Sequence, residues 1–312
     1  MFTANILTDS IGVDAPRLTS MELVYPFFIH GEFMTHRVFS RNASSSRAIP
    51  VQRMIAAIRA NPAMPAEWRM NEAGMQGWTK ATAEVEAELV GIWLEAMEDA
   101  IRHAERMDRL KAHKQHINRV VEPFKHMRVV VTGTDWDNFY GLRDHPDADP
   151  SMQALAKAII AAREASTPTL LGLGDWHLPY ILPEDEDRIA HYLRTASMDE
   201  LRSLGLITNA GAPVIEVKKK VSAARCARTS YRTHSGEATD IVKDIMLYNK
   251  LVGAAPIHAS PVEHQATPDS YLTKGKRWMN PQLHGNLRGW NQNRKFLPGE
   301  NLQRFDDLPL AA

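Results

Sequence analysis

Runs of apolar residues near the start of the chain predict extended segments. Residues 4–13 and 19–34 form two such stretches, separated by a turn around Asp14-Ala15-Pro16. The run from Leu23 to Met34 is continuous and aromatic, which is typical of a buried strand or a short helix. Val129-Val130-Val131 is β-branched and indicates a further strand, and a buried helix would have the same pattern.

Helical periodicity is clearest over residues 79–111. Apolar side chains recur there every three or four positions, as on one face of an amphipathic helix. They are Ala81, Val85, Leu89, Ile92, Trp93, Ala96 and Ala100. Further patterns predict helices from Pro50 to about Arg59 and over 113–121, 151–164, 184–194, 198–203 and 237–252. Residues 61–77 and 166–183 are rich in Pro and Gly and are predicted as loops.

A cluster of cations and hydroxyls follows the first apolar run. Residues 35–47 contain three Arg, one His, four Ser and one Asn. Arginine offers a rigid fork of donors for phosphate, and serine hydroxyls add short donors beside it. The cluster therefore predicts an anion site. The alternative is a solvated basic loop in which Ser44 to Ser46 form a helix N-cap.

Composition narrows the class of protein. Lys+Arg and Asp+Glu are both 37, so net charge is zero, which argues against nucleic acid or a membrane surface as partner. The single cysteine, Cys226, excludes an intrachain disulfide and a Cys-rich zinc site, and we expect no metal. No basic leader and no apolar run of membrane-spanning length is visible. We expect a cytoplasmic protein, in the host cytoplasm if a virus encodes it.

The basic cluster resembles the signature of the flavin-dependent thymidylate synthases, the ThyX family. That signature reads R-H-R, two residues, S, one residue, N, two residues, S, one residue, R. Six of its seven fixed positions match, and Thr35 replaces the leading Arg. The matching residues are His36, Arg37, Ser40, Asn42, Ser45 and Arg47.

Four further segments resemble this family. Residues 118–123 are similar to its A-R-x-x-L-P helix end, and residues 138–143 to its N-F-L-x-L-R stretch. Residues 222–231 and 258–264 are similar to motifs that precede the signature in ordinary members, but here they follow it. We interpret this order as a circular permutation, which a fold with neighbouring surface termini allows.

The resemblance implies one catalytic domain over 1–312. Residues 1–165 would hold the signature, helical and uracil-site part, 214–266 the permuted block, and 267–312 an extension. It implies an α/β (α+β) fold with a central mixed or antiparallel sheet flanked by long helices, in an obligate homotetramer. The implied reaction is reductive methylation of dUMP to dTMP, with 5,10-methylenetetrahydrofolate as carbon donor and NADPH-reduced FAD as hydride source.

The resemblance also assigns site residues. Arg143 would pair with the uracil edge, and Ser45 would position the reacting carbon. The dUMP-binding set would be Glu32, Ser44, Ser45, Ser46, Arg47, Arg119 and Arg143. The FAD-binding set would be Thr35, His36, Arg37, Asn42, Asn138, His258, Ser260 and Glu263. Asn286 and Arg288 are candidates to replace the missing signature cation.

Departures from the family pattern keep other functions open. Ala43 stands where a Glu is usual, and Glu32 where a Gln is usual. One alternative is therefore methylation or hydroxymethylation of another pyrimidine nucleotide, such as dCMP. Another alternative, from the basic cluster alone, is a non-catalytic protein that binds a phosphate or nucleotide.

Overall fold

The computed structural model describes residues 1–75, 77–207, 214–229, 240–253 and 256–300. Within these ranges the chain combines a mixed sheet with α-helices, as the predicted α+β class requires. No helix in the described ranges is long and apolar enough to cross a membrane.

Five strands form the main sheet, in the order β3-β4-β2-β1-β5. Neighbouring strands are antiparallel, except that β5 runs parallel to β1. The strands are β1 Thr3–Gly12, β2 Leu18–Pro26, β3 Ser40–Ala43, β4 His126–Gly133 and β5 Thr169–Leu171. Two small ribbons pair β6 Ala266–Pro268 with β9 Trp290–Gln292, and β7 Tyr271–Leu272 with β8 Arg277–Trp278. Strand β5 lies in the segment predicted as a loop, so that prediction was wrong over three residues.

Most of the predicted helices are present with small shifts of their ends. The longest, predicted from residue 79, begins at Ala83, where the Thr82 hydroxyl accepts from Val85 N. The helices are α1 His30–Phe33, α2 Val51–Ala60, α3 Ala83–Arg109, α4 Lys114–Val120, α5 Asp137–Arg143, α6 Pro150–Glu164, α7 Pro183–Thr195, α8 Met198–Ser203, α9 Val214–Arg228 and α10 Ile241–Val252. The first residues of the helix predicted over 237–252 lie outside the described residues.

The two faces of the main sheet differ in polarity, because side chains alternate along each strand. On one face Met21, Leu23 and Val131 are fully buried and belong to a core that includes residues of α6. The other face carries buried polar side chains, among them Ser20 and Thr132, which are paired across β2 and β4. We call this second surface the polar face of the sheet.

Helix α9 lies against the polar face. Its Cys226 is buried with Val130 of β4 and with Tyr180. Burial raises the pKa of the Cys226 thiol, so the thiol stays protonated and resembles an apolar side chain. Part of the motif predicted to be permuted therefore packs against β4, the neighbour of the strand that carries signature residues 40–43, and the permutation itself stays a prediction.

The segment after residue 266 packs on the body of the protein. Trp290 is fully buried, and its indole Nε1 donates to Pro16 O over 2.8 Å. Residues 301–312 lie outside the described residues.

Candidate functional site

Arg143, at the C-terminal end of α5, contacts two other predicted site residues. Its Nη1 donates to Glu32 Oε1, and its Nε donates to His36 Nε2 over 2.8 Å. Because His36 Nε2 accepts this bond, the ring proton of a neutral His36 lies on Nδ1. Burial lowers the pKa of His36, and the charges of Arg143 and Arg41 lower it further. The result is a guanidinium–carboxylate pair beside a neutral imidazole, which we call the Arg143 cluster.

Aromatic packing and one further arginine hold this cluster in place. The His36 ring meets Phe139 edge-on, with centroids 4.9 Å apart. Arg41 donates to the carbonyls of Met34 (2.8 Å) and His36 (2.9 Å), which fixes the turn before β3. Sequence reasoning counted Arg41 in the basic cluster but gave it no site role. Its backbone partners explain why a cation is present there.

The Arg143 cluster reaches the protein surface. The Arg143 side chain is 19% exposed and that of Glu32 is 33% exposed. A guanidinium has five N–H donors, and two of its nitrogens make the bonds described above. The cluster can therefore offer further donors beside a carboxylate acceptor, a pattern that suits the edge of a planar heterocycle.

Residues 44–47 follow β3, and we call them the serine turn. Their side chains differ in burial. Ser46 is buried, and its hydroxyl donates to Glu122 Oε1 over 2.5 Å. Ser44 is partly buried against β4, where its hydroxyl lies 3.8 Å from Met127 Sδ. Ser45 and Arg47 are exposed. The N-cap alternative was wrong, because α2 has Pro50 as its N-cap and no side-chain cap.

Arg119 joins the serine turn through Glu122. Its Nη1 lies 3.9 Å from Glu122 Oε2, and its side chain is 65% exposed. The neighbouring Asn118 donates to the carbonyls of Ser46 (2.7 Å) and Ile49 (2.9 Å), so α4 holds the turn from behind. Exposed cations and the Ser45 hydroxyl are therefore available here to an anion, whereas Ser46 has a structural partner.

The Arg143 cluster and the serine turn lie at opposite ends of β3 and β4. His36 precedes β3 and packs on α5, which follows the end of β4. Ser46 follows β3 and bonds to Glu122, which precedes β4. Four strand residues at ~3.3 Å each separate the two ends by roughly 13 Å. The predicted nucleotide-binding residues therefore fall into two groups along these strands.

The residues predicted to bind FAD differ in how far they are exposed to solvent. Asn42 lies on β3, and its Oδ1 is buried without a hydrogen-bond partner among the described residues. Thr35 has a turn-closing role, since its hydroxyl donates to Glu32 O over 2.7 Å. Besides Thr35, the exposed members are Arg37, Asn138, His258 and Ser260.

The tail supplies partners to the signature region. Arg294 Nη1 donates to Glu263 Oε1, so a cation from the tail lies at a predicted FAD residue. Asn286 donates to Val38 O over 3.0 Å and exchanges hydrogen bonds with Ser40. Arg288 lies elsewhere, in an exposed pair with Asp135 at 2.8 Å. The candidate cation named from the sequence was Arg288.

A buried chain of hydrogen bonds crosses the polar face and was missed by sequence reasoning. It runs from Ser10 through His177 to Ser20 over 2.9 and 2.8 Å, then through Thr132 to His264 over 2.5 and 2.8 Å. Burial lowers the pKa of both histidines to about 3, so both are neutral near pH 7. The available signal was the presence of hydroxyl residues within otherwise apolar strands.

Comparison with known proteins gives matches among solved structures alone. No family model matches the sequence, and no curated protein matches it. The chain is similar to crystal structures of the UMP/dUMP methylase PolB from Streptomyces cacaoi. The structure bound with 5-Br UMP has a TM-score of 0.41 and 16% identity over 47% of this chain and 69% of that chain. The structure bound with 5-Br dUMP has a TM-score of 0.40 and 17% identity over 47% and 66%.

Proposed function

We propose that this protein is an FAD-dependent methylase of a uracil nucleotide, with dUMP as substrate and dTMP as product. The carbon donor would be 5,10-methylenetetrahydrofolate, and NADPH would reduce the flavin. The observation that carries the proposal is the Arg143 cluster: three residues that the family resemblance assigns to the site, up to 111 positions apart in sequence, are in contact.

Arg143 would bind the uracil edge. A guanidinium stays protonated in any protein environment, so it favours the N3-deprotonated form of the ring that is more reactive toward an electrophilic carbon. Glu32 holds the guanidinium through a charged hydrogen bond, and the neutral His36 holds its Nε. These two residues therefore orient Arg143, and Glu32 adds an acceptor for a ring N–H or a ribose hydroxyl.

The nucleotide phosphate would bind at the serine turn, to Ser45, Arg47 and Arg119. Two arginine forks suit a phosphate dianion. Because this turn lies roughly 13 Å of strand length from Arg143, we infer that each site combines the serine turn of one subunit with the Arg143 cluster of another. The homotetramer implied by the family resemblance would provide this arrangement. Ser46 would act indirectly, by fixing the turn through Glu122.

The residues around β3 fit a flavin dinucleotide on two observations. The buried Oδ1 of Asn42 is an acceptor with no partner among the described residues, which an N–H of a ligand would satisfy. The exposed guanidinium of Arg37 suits the pyrophosphate. His258, Ser260, Asn138 and the pair Glu263–Arg294 would line the same site. When bound, FAD would supply the hydride that completes the methyl group.

An absorbance spectrum of the purified protein, with FAD added, is the first test. We expect flavin bands that bleach with NADPH under anaerobic conditions, and formation of dTMP from dUMP when 5,10-methylenetetrahydrofolate is present. Arg143→Gln should lower turnover by about 100-fold or more, because the uracil ring loses a charged hydrogen-bond donor. The control Arg102→Gln removes an equal charge from an exposed pair with Asp99 and should leave turnover unchanged. The absence of flavin binding would overturn the proposal.

The second candidate substrate is a cytosine nucleotide, which Glu32 favours. A carboxylate can accept from the exocyclic amine of cytosine, whereas uracil presents a carbonyl at that position. Turnover of dCMP should be compared with that of dUMP, in the wild type and in Glu32→Gln. Preference for dCMP that is lost in Glu32→Gln would establish this alternative. Nucleotide binding without turnover of either substrate would favour the non-catalytic alternative.

A further inference from the structure

A cavity of about 750 Å³ opens on the polar face of the sheet, beside the serine turn. Its floor is formed by β1, β2 and β4, one wall by α2, and another by the end of α9. Pockets that bind small molecules span ~300–1,000 Å³. The volume is therefore sufficient for a ligand of nucleotide or pterin size.

Cationic side chains dominate the charge of this cavity. Arg53, Lys125, Arg128 and Arg228 line it, and Glu22 is the single carboxylate among the lining residues that the structure describes. Glu22 is already engaged, since it accepts from Arg128 and, over 3.0 Å, from the hydroxyl of Tyr180. Cations therefore outnumber carboxylates among the described residues that line the cavity, which favours an anionic ligand.

Two of these cations are held in low-dielectric surroundings. Lys125 is 4% exposed, with its Nζ 4.8 Å from the centroid of the Phe27 ring. Arg228 pairs with Asp244 through Nη2, while its Nε is buried without a partner among the described residues. Both residues line the cavity, where charges are screened less than at an open surface.

The remaining lining is apolar. Helix α2 contributes Met54, Ala57 and Ile58, and β1 contributes Ile6 and Leu7. Apolar walls with a few charged groups are typical of pockets that bind an aromatic or aliphatic body and orient it through one polar end. This combination distinguishes the cavity from a surface patch that attracts counter-ions.

We propose that this cavity binds a small molecule with an aromatic body and a phosphate or carboxylate group. The body packs on the α2 wall, and the anionic group meets Arg53 and Arg228. The site is separate from the Arg143 cluster and shares with the predicted nucleotide set the rim residue Ser44. The proposal depends on the proposed function only in the choice of probes. A nucleotide would present a phosphate group, and a reduced folate would present a carboxylate group.

Calorimetric titration with UMP and with folinic acid tests the site and distinguishes the two anions. Ala57→Trp fills the cavity from α2 without removing a buried contact, and we expect at least tenfold weaker binding of one probe. Ala56→Trp, on the adjacent exposed position of the same helix, is the matched control and should bind as the wild type does. Arg53→Gln should weaken the same probe about tenfold through loss of a charged contact.

The proposal is overturned if both probes bind Ala57→Trp within twofold of the wild type, or if neither probe binds the wild type at 1 mM. Circular dichroism of Ala57→Trp and Ala56→Trp must show equal helix content and equal melting behaviour for the comparison to hold. Because these titrations measure binding and not turnover, a protein without flavin or methylase activity can still bind through this cavity.

Discussion

Replacing Arg225 with Met should strongly destabilise the fold, because Arg225 is the centre of a buried ion cluster that joins α7, α9 and α10. Its side chain is 2% exposed, and those of Asp185 and Asp244 are fully buried. Arg225 donates to Asp244 Oδ2 over 3.0 Å, to Tyr180 O over 2.7 Å, and to both oxygens of Asp185. Methionine retains much of the apolar stem but none of these donors.

The expected loss follows from what remains after the substitution. Asp244 keeps Arg228, and Asp185 keeps Leu182 N at 3.0 Å and Arg188 at 3.3 Å. Removing one partner of a buried ion pair costs ~3–5 kcal/mol, since the other charge stays buried. We therefore expect the free energy of unfolding of Arg225→Met to fall by about 3–5 kcal/mol.

Urea unfolding followed by circular dichroism measures this loss as a lower midpoint at an unchanged slope. A second variant, Arg225→Met with Asp185→Asn, removes a buried carboxylate that has lost its hydrogen bonds from Arg225, and should regain part of the stability. Arg202→Met is the surface control: its pair with Asp199 at 3.2 Å is exposed on both sides, and such pairs contribute ~0–1 kcal/mol. The reasoning is refuted if the free energy of unfolding of Arg225→Met falls by less than about 1 kcal/mol, or if the double variant is less stable than the single one.

The same cluster predicts a pH dependence. Burial by itself would raise the pKa of Asp185, but the hydrogen bonds from Arg225 and Leu182 N outweigh burial, so its pKa lies below the ordinary value. A carboxyl whose pKa is lower in the folded than in the unfolded protein stabilises the fold at pH values above its pKa in the unfolded protein. That contribution is lost as the pH falls toward its pKa in the folded protein. Unfolding measured from pH 5 downward should therefore be less pH-dependent in Arg225→Met than in the wild type.

Three further outcomes follow from single contacts. Ser46→Ala should cost ~1–3 kcal/mol of unfolding free energy through its lost buried hydrogen bond, whereas Ser45→Ala should leave the denaturation midpoint unchanged and weaken dUMP binding. Gly133→Ala places a Cβ 2.7 Å from the Phe39 ring and should cost ~1–3 kcal/mol by overpacking, measured by urea unfolding. Burial lowers the pKa of His264 from 6.5 to about 3, so the free energy of unfolding declines as the pH drops from 6.5 toward 3. In His264→Asn the free energy of unfolding should vary less steeply with pH between pH 4 and 6, by ~1.4 kcal/mol per pH unit.

Helices and strands were predictable where their pattern is local. The apolar stripe of α3 repeats every three or four residues because the helix has 3.6 residues per turn, and that geometry depends on no distant partner. Strand β5 was missed for the opposite reason. Its three residues have no period long enough to detect, and they are a strand because they pair with Ser10–Gly12 of β1.

The residue types of the candidate site were also predictable, but their partners were not. The family resemblance identified the three residues separately: His36 through the signature, Arg143 through the stretch 138–143, and Glu32 by its position before the signature. The fold brings them into contact. Spacing could not show whether Ser46 faces a ligand. Its partner, Glu122, lies 76 positions away, and the same Ser would be present in either arrangement. The cation at Glu263 is likewise Arg294 and not Arg288, because the path of the tail places Arg294 there.

The family resemblance implied the α+β class. The sequence by itself determined the positions of most helices and of three strands of the main sheet, and the chemistry available near residues 35–47. These properties depend on periodicity and side-chain type, which are local. The tertiary structure decided the separation of the serine turn from the Arg143 cluster, the buried hydrogen-bond chain of His177 and His264, and the cationic cavity. These features depend on contacts between distant segments, because strand order and helix packing determine which side chains meet.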